Sequence, residues 1–274
     1  MKITLLGTAA AEGWPGLFCR CAACKRAIEL GGRNIRTRSS ALVDDRLLID
    51  FPPDTYLHVL QHHLDLTAVQ AVLITHAHDD HFCVTELQYR GPYFVVDAWK
   101  DKLPIVGPID VVCALKGQVD LQLAPLEPQC IAPGETTALG GYRITGIPAP
   151  HDPALTCLNY VIADPSGASV LYATDTGVWG EAQWRAMEGI DIDALIVECT
   201  KGPIEGGYNG HLSVGDVKRM RAELIRRGNM AVDAQVVTTH HSHNGGMVHD
   251  DLQALLEPAG IVAGYDGLQI EVSR

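Results

Sequence analysis

The sequence predicts a mixed α/β architecture built in layers, and three observations carry that expectation. The apolar runs are short, rich in Val, Ile and Leu, and broken by Gly, Pro and Asp, which is how buried strands read. A few amphipathic helical stretches lie between them, and strands mixed with helices favour stacked layers. No repeat, low-complexity tract or linker divides the 274 residues, so one domain spanning 1–274 is expected.

Taken in order, strands are predicted at residues 3–6, 41–43, 47–49, 71–75 and 109–113, then at 143–147, 159–163, 169–173, 194–198 and 235–239. The segment "ADPSGAS" between Tyr160 and Leu171 predicts a hairpin turn. A closing hairpin is expected in "IVAGYDGLQIEV", with Asp266-Gly267 as its tight turn. The clearest helix starts at Ser213, an N-cap with Asp216 three residues on. Val214, Val217, Met220 and Leu224 form its apolar stripe, and Gly228 ends it. Further helices are expected near 55–63, 179–187 and 249–256.

With 33 acidic against 21 basic residues, the net charge is −12. That argues against a protein that blankets nucleic-acid phosphates with lysine and arginine, although bound divalent cations would invert the local field around a small phosphate. No stretch is apolar and long enough to span a bilayer, and the run after Met1 reads as a strand, too short for a signal peptide. A soluble cytoplasmic protein is expected. Of eight cysteines, Cys83, Cys113, Cys130, Cys157 and Cys199 stand singly beside apolar residues and read as buried free thiols. Cys19, Cys21 and Cys24 are clustered.

The chemistry concentrates in "LITHAHDDH", where three histidines and two aspartates follow an aliphatic run. A strand end followed by a tight loop aims such groups at one point, and the pattern H-x-H-x-D-H offers donors for two cations. Imidazole and carboxylate are ordinary ligands of Zn²⁺ and Mn²⁺.

This pattern resembles the metallo-β-lactamase superfamily, whose first motif is completed by a lone His, a bridging acidic residue and a final His. The sequence offers His151 in "IPAPHD", Asp175 in "LYATDTG" and His240 in "VVTTHHSH", each at the end of an apolar run and in the family's order. The resemblance implies a four-layer αββα sandwich with two divalent cations, manganese or zinc. One would be held by His76, His78 and His151. The other would be held by Asp80, His81 and His240, with Asp175 bridging both. Such a pair lowers the pKa of a shared water and clamps a displacement. Asp79 is not a ligand in the family. Asp50, ending "LLIDF", matches an Asp that orients ligands, but here the family's Asp-x-Gly has become Asp50-Phe51-Pro52.

Cys19, Cys21 and Cys24 place three thiolates within six residues, which suits a structural tetrahedral zinc given a fourth ligand from elsewhere. His243, three residues after His240, is the expected fourth, and the zinc would pin a loop around 13–40. "GTAAAEGWPGLFCRCAAC" is similar to the start of the PhnP-type phosphoribosyl cyclic phosphodiesterases. The likeness continues through "LITHAHDDH", "LPIVGP", "TDT", "TTHHSH" and "GYDGLQI". It implies that His211, in "YNGHLS", lies near the substrate phosphate as a hydrogen-bond or proton donor. Asp80 and His211 are therefore the catalytic candidates.

The reaction expected is hydrolysis of a small cyclic or nucleotide-like phosphodiester. The partners expected are that phosphorylated substrate and a second copy of the chain in a homodimer, with no large nucleic acid and no membrane. The aromatic segment "QYRGPYFVVDAW" and the basic run Arg20, Lys25, Arg26, Arg33, Arg36 and Arg38 are candidates for shaping the pocket. Thioester or lactone hydrolysis and a PqqB-like accessory binding role are the alternatives, because one fold hosts many reactions.

Overall fold

The computed structural model describes all 274 residues. Along the chain come β1 (Lys2–Gly7), α1 (Ala22–Leu30), β2 (Ser40–Val43), β3 (Leu47–Ile49), α2 (Thr55–His62) and β4 (Ala71–Leu73). Next are β5 (Leu103–Gly107), α3 (Ile109–Gln118), β6 (Leu126–Cys130), β7 (Thr136–Leu139), β8 (Tyr142–Pro148), β9 (Leu158–Ala163) and β10 (Ser169–Ala173). The last are α4 (Glu181–Ala186), β11 (Ile192–Glu198), α5 (Val214–Arg227), β12 (Met230–Thr239), α6 (His249–Leu256), β13 (Ile261–Ala263) and β14 (Gln269–Glu271). No helix is long and apolar enough to cross a membrane.

The strands form two seven-stranded sheets, ordered β14-β1-β2-β3-β4-β5-β6 and β13-β12-β11-β10-β9-β8-β7. Side chains alternate across a strand, and here both faces are apolar. Ile3, Ala41, Leu73, Tyr160, Tyr172 and Ile196 meet in the core between the sheets. Leu42, Leu48 and Val72 face outward, against Val111 and Leu115 of α3. Leu171, Leu195 and Val197 face the other way, against Val217, Met220 and Leu224 of α5. Strands buried on both faces read as continuous apolar runs, which is why they were visible in the sequence. The layers are α, β, β, α, as the resemblance implied.

The turn at "ADPSGAS" joins β9 and β10 antiparallel, with Asp164 N donating to Ala168 O. The α5 boundaries also follow the expectation. Ser213 Oγ accepts from Asp216 N, Asp216 Oδ2 accepts from Ser213 N, and Gly228 closes the helix at φ +80°.

Two expectations are overturned. Residues 109–113 form the first turns of α3 rather than a strand. Five apolar residues cannot separate the two periods, and burial of Val111, Val112 and Leu115 follows the helical one. The closing hairpin does not form either. β13 pairs with β12 in one sheet and β14 pairs with β1 in the other. The turn itself is present, with Leu268 N donating to Tyr265 O. Asp266 is drawn instead to Thr8 Oγ1, Thr37 N and Thr37 Oγ1, so the segment crosses between sheets. Cys113 and Cys130 are exposed, not buried, because they lie on the solvent face of α3 and at the end of the edge strand β6. α1, β5, β6 and β7 were not anticipated from the sequence. β6 carries Pro128, whose missing N–H is tolerated at this edge of the sheet.

The basic run does not gather around one phosphate. Arg36 is buried, donating to Thr8 Oγ1, Gly264 O and His249 Nδ1. Arg38 pairs with Asp54 and Arg26 with Asp251. Arg33 lies over the Tyr265 ring. Nearby, His58 is buried with Nε2 2.8 Å from Thr37 Oγ1. Burial pushes His58 down to about 4, against the pull of Asp54, and burial with Arg36 pushes His249 to about 4. Unfolded histidine titrates near 6.5, at about the value in free peptides. Below that pH the unfolded chain takes up protons that the folded chain refuses, so stability is full above about pH 6.5 and falls until about pH 4. His58→Gln is expected to flatten the fall in urea midpoint over that window. An unchanged slope would show that His58 does not contribute to it.

Candidate metal centres

β4 stops at Leu73, and the chain continues through Ile74 and Thr75, held by bonds from Ile74 N to Val106 O and from Leu158 N to Thr75 O. The loop 76–81 starts from this anchored end. His76 Nε2 and His151 Nε2 lie 2.9 and 3.3 Å from His78 Nδ1. Beside them, His81 Nε2 lies 3.2 Å from Asp80 Oδ2 and 3.4 Å from His240 Nε2. Asp175 faces both groups. Its Oδ2 is 3.2 Å from His240 Nε2 and 3.7 Å from His76 Nε2, and its Oδ1 is 3.8 Å from His151 Nε2. Nitrogen and oxygen ligands around one tetrahedral ion stand about 3.3 Å apart, given bonds of about 2.0–2.1 Å. The donors therefore fit two adjacent cations. Asp175 Oδ2 is also buried among the ring nitrogens of His81, His240 and His76, a negative charge out of solvent that a cation would offset.

The outward nitrogen of each imidazole is occupied. His81 Nδ1 is 2.7 Å from Asp50 Oδ2, and His76 Nδ1 is 3.0 Å from Thr75 Oγ1, which donates to Asp50. On the other sheet, His211 Nδ1 is 2.9 Å from Glu198 Oε1. His240 Nδ1 is 2.8 Å from Thr200 Oγ1, which donates to Glu198. Asp50 and Glu198, both fully buried, thus each hold one histidine directly and a second through a threonine. His78 Nε2 and His151 Nδ1 are held by Asp152 and by Gly210 O, each at 3.0 Å. With these acceptors outside, the inner nitrogens present lone pairs towards the ion positions. Asp50, Asp175 and His240 adopt φ of 59°, 46° and 52°. Such left-handed backbone is costly outside glycine and collects at functional sites.

Burial would push the Asp175 carboxyl up, but His240 and His81 hold it well below the usual range. Burial opposes protonation of His81 too, yet Asp80, Asp175 and Asp50 raise it well above its usual value, a proton that a bound cation would displace. His76 is pushed well below its usual range by burial and then by His81, so its imidazole is neutral and could donate to a cation.

The second cluster lies at the N-terminal loop. His243 Nδ1 is 3.7 Å from Cys19 Sγ and 3.6 Å from Cys21 Sγ, and Cys24 Sγ completes the group. A tetrahedral zinc with sulfur and nitrogen ligands sets them about 3.5 Å apart. The Cys24 N–H bond lowers Cys21 to about 6, whereas burial pushes Cys24 up to about 12. A Cβ at Gly16 would overlap the His243 ring at Nε2, so only glycine lets the loop close over this histidine.

A model of the β-lactamase superfamily domain matches residues 45–241. The chain belongs to this superfamily. Among solved structures, it is similar to a diphosphatase of the PhnP family, at 24% identity over 98% of this chain and 97% of that one, with a TM-score of 0.75. It is also similar to Zn²⁺-bound PqqB from Methylobacterium extorquens, at 20% identity over 99% and 100%, with a TM-score of 0.76. The short form of human tRNase Z aligns at 16% identity over all of both chains, with a TM-score of 0.66. No curated protein sequence matches the chain. At such identities the structural likeness speaks for the αββα metallo-β-lactamase sandwich.

Within this β-lactamase-superfamily chain, every ligand candidate lies in one of the two clusters, and His211 lies beside the larger one. Asp79 is exposed. The aromatic segment lies elsewhere, where Tyr89, Val95 and Trp99 line an apolar cavity with Phe51, Tyr56 and Leu87. Glu198, Thr200 and Asp152 were not anticipated from the sequence. Glu198 ends the apolar strand of "ALIVECT", the same strand-end signal that marked Asp175.

Proposed function

We propose that the protein is a dinuclear-metal hydrolase that cleaves a small cyclic or nucleotide-like phosphodiester. The observation that carries this reading is His211. Its Nδ1 is held by Glu198, and lies 3.5 Å from Asp175 Oδ1, so a proton donor stands against the carboxylate shared by both ion positions. Its Nε2 has no protein partner and is the nitrogen available to a substrate.

His76, His78 and His151 would hold one cation, and Asp80, His81 and His240 the other, with Asp175 between them. Manganese or zinc there would polarise the phosphoryl group and lower the pKa of an attacking water. Glu198 accepts from His211 Nδ1, fixing the ring so that Nε2–H can be given to the departing oxygen. Burial opposes a charge on His211, but Glu198, then Asp175 and Asp80, raise it to about 9 without cations. Glu198, which is not among the proposed ligands, would keep its hold on the protonated donor once they are bound. A zinc on Cys19, Cys21, Cys24 and His243 would tie the N-terminal loop to the segment carrying His240. A small substrate agrees with the net charge of −12, which does not favour binding a long polyanion.

The test is hydrolysis of bis(4-nitrophenyl) phosphate by Mn²⁺- or Zn²⁺-loaded protein, beside chelated protein and His211→Ala. Loaded protein is expected to turn over, chelated protein to be silent, and His211→Ala to lose about 10²-fold in kcat. Fully metallated protein that is inert on phosphodiesters would instead direct attention to thioesters, lactones or a binding role.

A further inference from the structure

Tyr208 is neither a ligand candidate nor a partner of an outer imidazole nitrogen, and its placement is unusual. Its hydroxyl donates to His151 O at 2.8 Å, so the ring is anchored to the backbone of a ligand candidate. The ring stands edge-on to His211, with centroids 5.6 Å apart, and to His151 at 6.4 Å. Yet 58% of the residue remains exposed. The loop beneath it is fitted closely. A Cβ at Gly210 would meet the Tyr208 ring at 2.5 Å, and Gly210 O is the acceptor that orients His151. Across the mouth, a Cβ at Gly177 would run into Asn209 O, so the loop is also docked against the segment that follows Asp175.

An aromatic ring held by its own hydroxyl, with most of its surface in solvent and one edge against His211, has little to gain from folding alone. A fixed, exposed aromatic surface stacks on planar or sugar rings at low entropic cost. We infer that Tyr208 forms the leaving-group subsite, selecting phosphodiesters whose departing alcohol carries a ring, such as an aryl or nucleoside group. This inference rests on the phosphodiesterase reading, in which His211 serves the departing oxygen. The phosphate lies at the ion positions, the departing oxygen reaches His211, and the ring it carries lies on Tyr208. Tyr208 touches only that ring, and so sets specificity without taking part in proton transfer.

The test measures binding, so that it is separable from turnover. Diphenyl phosphate and dimethyl phosphate are titrated calorimetrically into Zn²⁺-loaded wild type, Tyr208→Phe and Tyr208→Ala, with metal content measured for each. Wild type is expected to prefer diphenyl phosphate. Tyr208→Ala is expected to reduce that preference about tenfold, the equivalent of about 1.4 kcal/mol of stacking. Tyr208→Phe, which keeps the ring but loses its hold on His151 O, is expected to lose less of the preference than Tyr208→Ala. Equal losses for both ligands in Tyr208→Ala, or no loss, would overturn the subsite. Preserved ring selectivity in a wild type that turns over no phosphodiester would instead remove the phosphodiesterase reading and leave a ring-binding surface at Tyr208.

Discussion

Asp175→Ala is expected to lower phosphodiester turnover by more than about 10³-fold and to reduce the cations bound at the larger cluster from two towards one. Asp175 is the only side chain with oxygens within 3.8 Å of nitrogens in both groups, His81 and His240 on one side and His76 and His151 on the other. Its loss would remove the anion proposed to be shared by the two cations, and metal-borne charge stabilisation is worth several kcal/mol in a transition state. Metal content by mass spectrometry and kcat on the nitrophenyl diester check the two halves separately. The cysteine cluster provides an internal control, since its zinc is expected to stay. A variant that keeps both cations and most of its rate would show that Asp175 is not the bridge.

Asp50→Ala is expected to be the most destabilising single change at the site, by about 3–5 kcal/mol, because it leaves the buried donors Thr75 N, Thr75 Oγ1 and His81 Nδ1 without their charged acceptor. Asp50 is fully buried and accepts from Thr75 N, Thr75 Oγ1 and His81 Nδ1. Alanine also fits poorly at φ 59°. Asp50→Asn tolerates that backbone and keeps an acceptor for Thr75 N, so its stability loss is expected to be smaller. Affinity for the cation beside His81 is expected to fall about 10–100-fold in both variants, as for other outer partners of metal-bound histidines. Urea denaturation and metal titration measure the two effects. A stable Asp50→Ala protein with unchanged metal affinity would refute the role given to this carboxylate.

The part of the site that the sequence showed consists of residues whose chemistry is local. His76, His78, Asp80 and His81 fall within six positions after an apolar run, and Cys19, Cys21 and Cys24 within another six. Side chains of ligand type seldom crowd so densely except around a metal ion. His151, Asp175 and His240 were found through the order of strand ends that the family resemblance supplied. Glu198 offers the same strand-end signal, but a carboxylate closing a strand is ordinary until a histidine thirteen residues away is seen to lean on it. Tyr208 has no sequence signal at all, since an aromatic in a glycine-rich loop is ordinary before its hydroxyl is found on His151 O.

The same division runs through the fold. Buried strands were legible because packing on both faces imposes continuous apolar runs, and α5 because Ser213, its stripe and Gly228 mark start, face and end. Residues 109–113 were misread because five positions do not distinguish a period of 2 from one of 3.6. β13 and β14 were paired wrongly because pairing is a choice among open edges, and the edges of β12 and β1 were better placed. The sequence by itself determined the donor types, their strand-end positions and the layered class, all of which depend on neighbours a few residues apart. Sheet assignment, the outer acceptors on each imidazole and the exposed ring beside His211 were decided by contacts between segments far apart in the chain, whose geometry exists only once both sheets have packed.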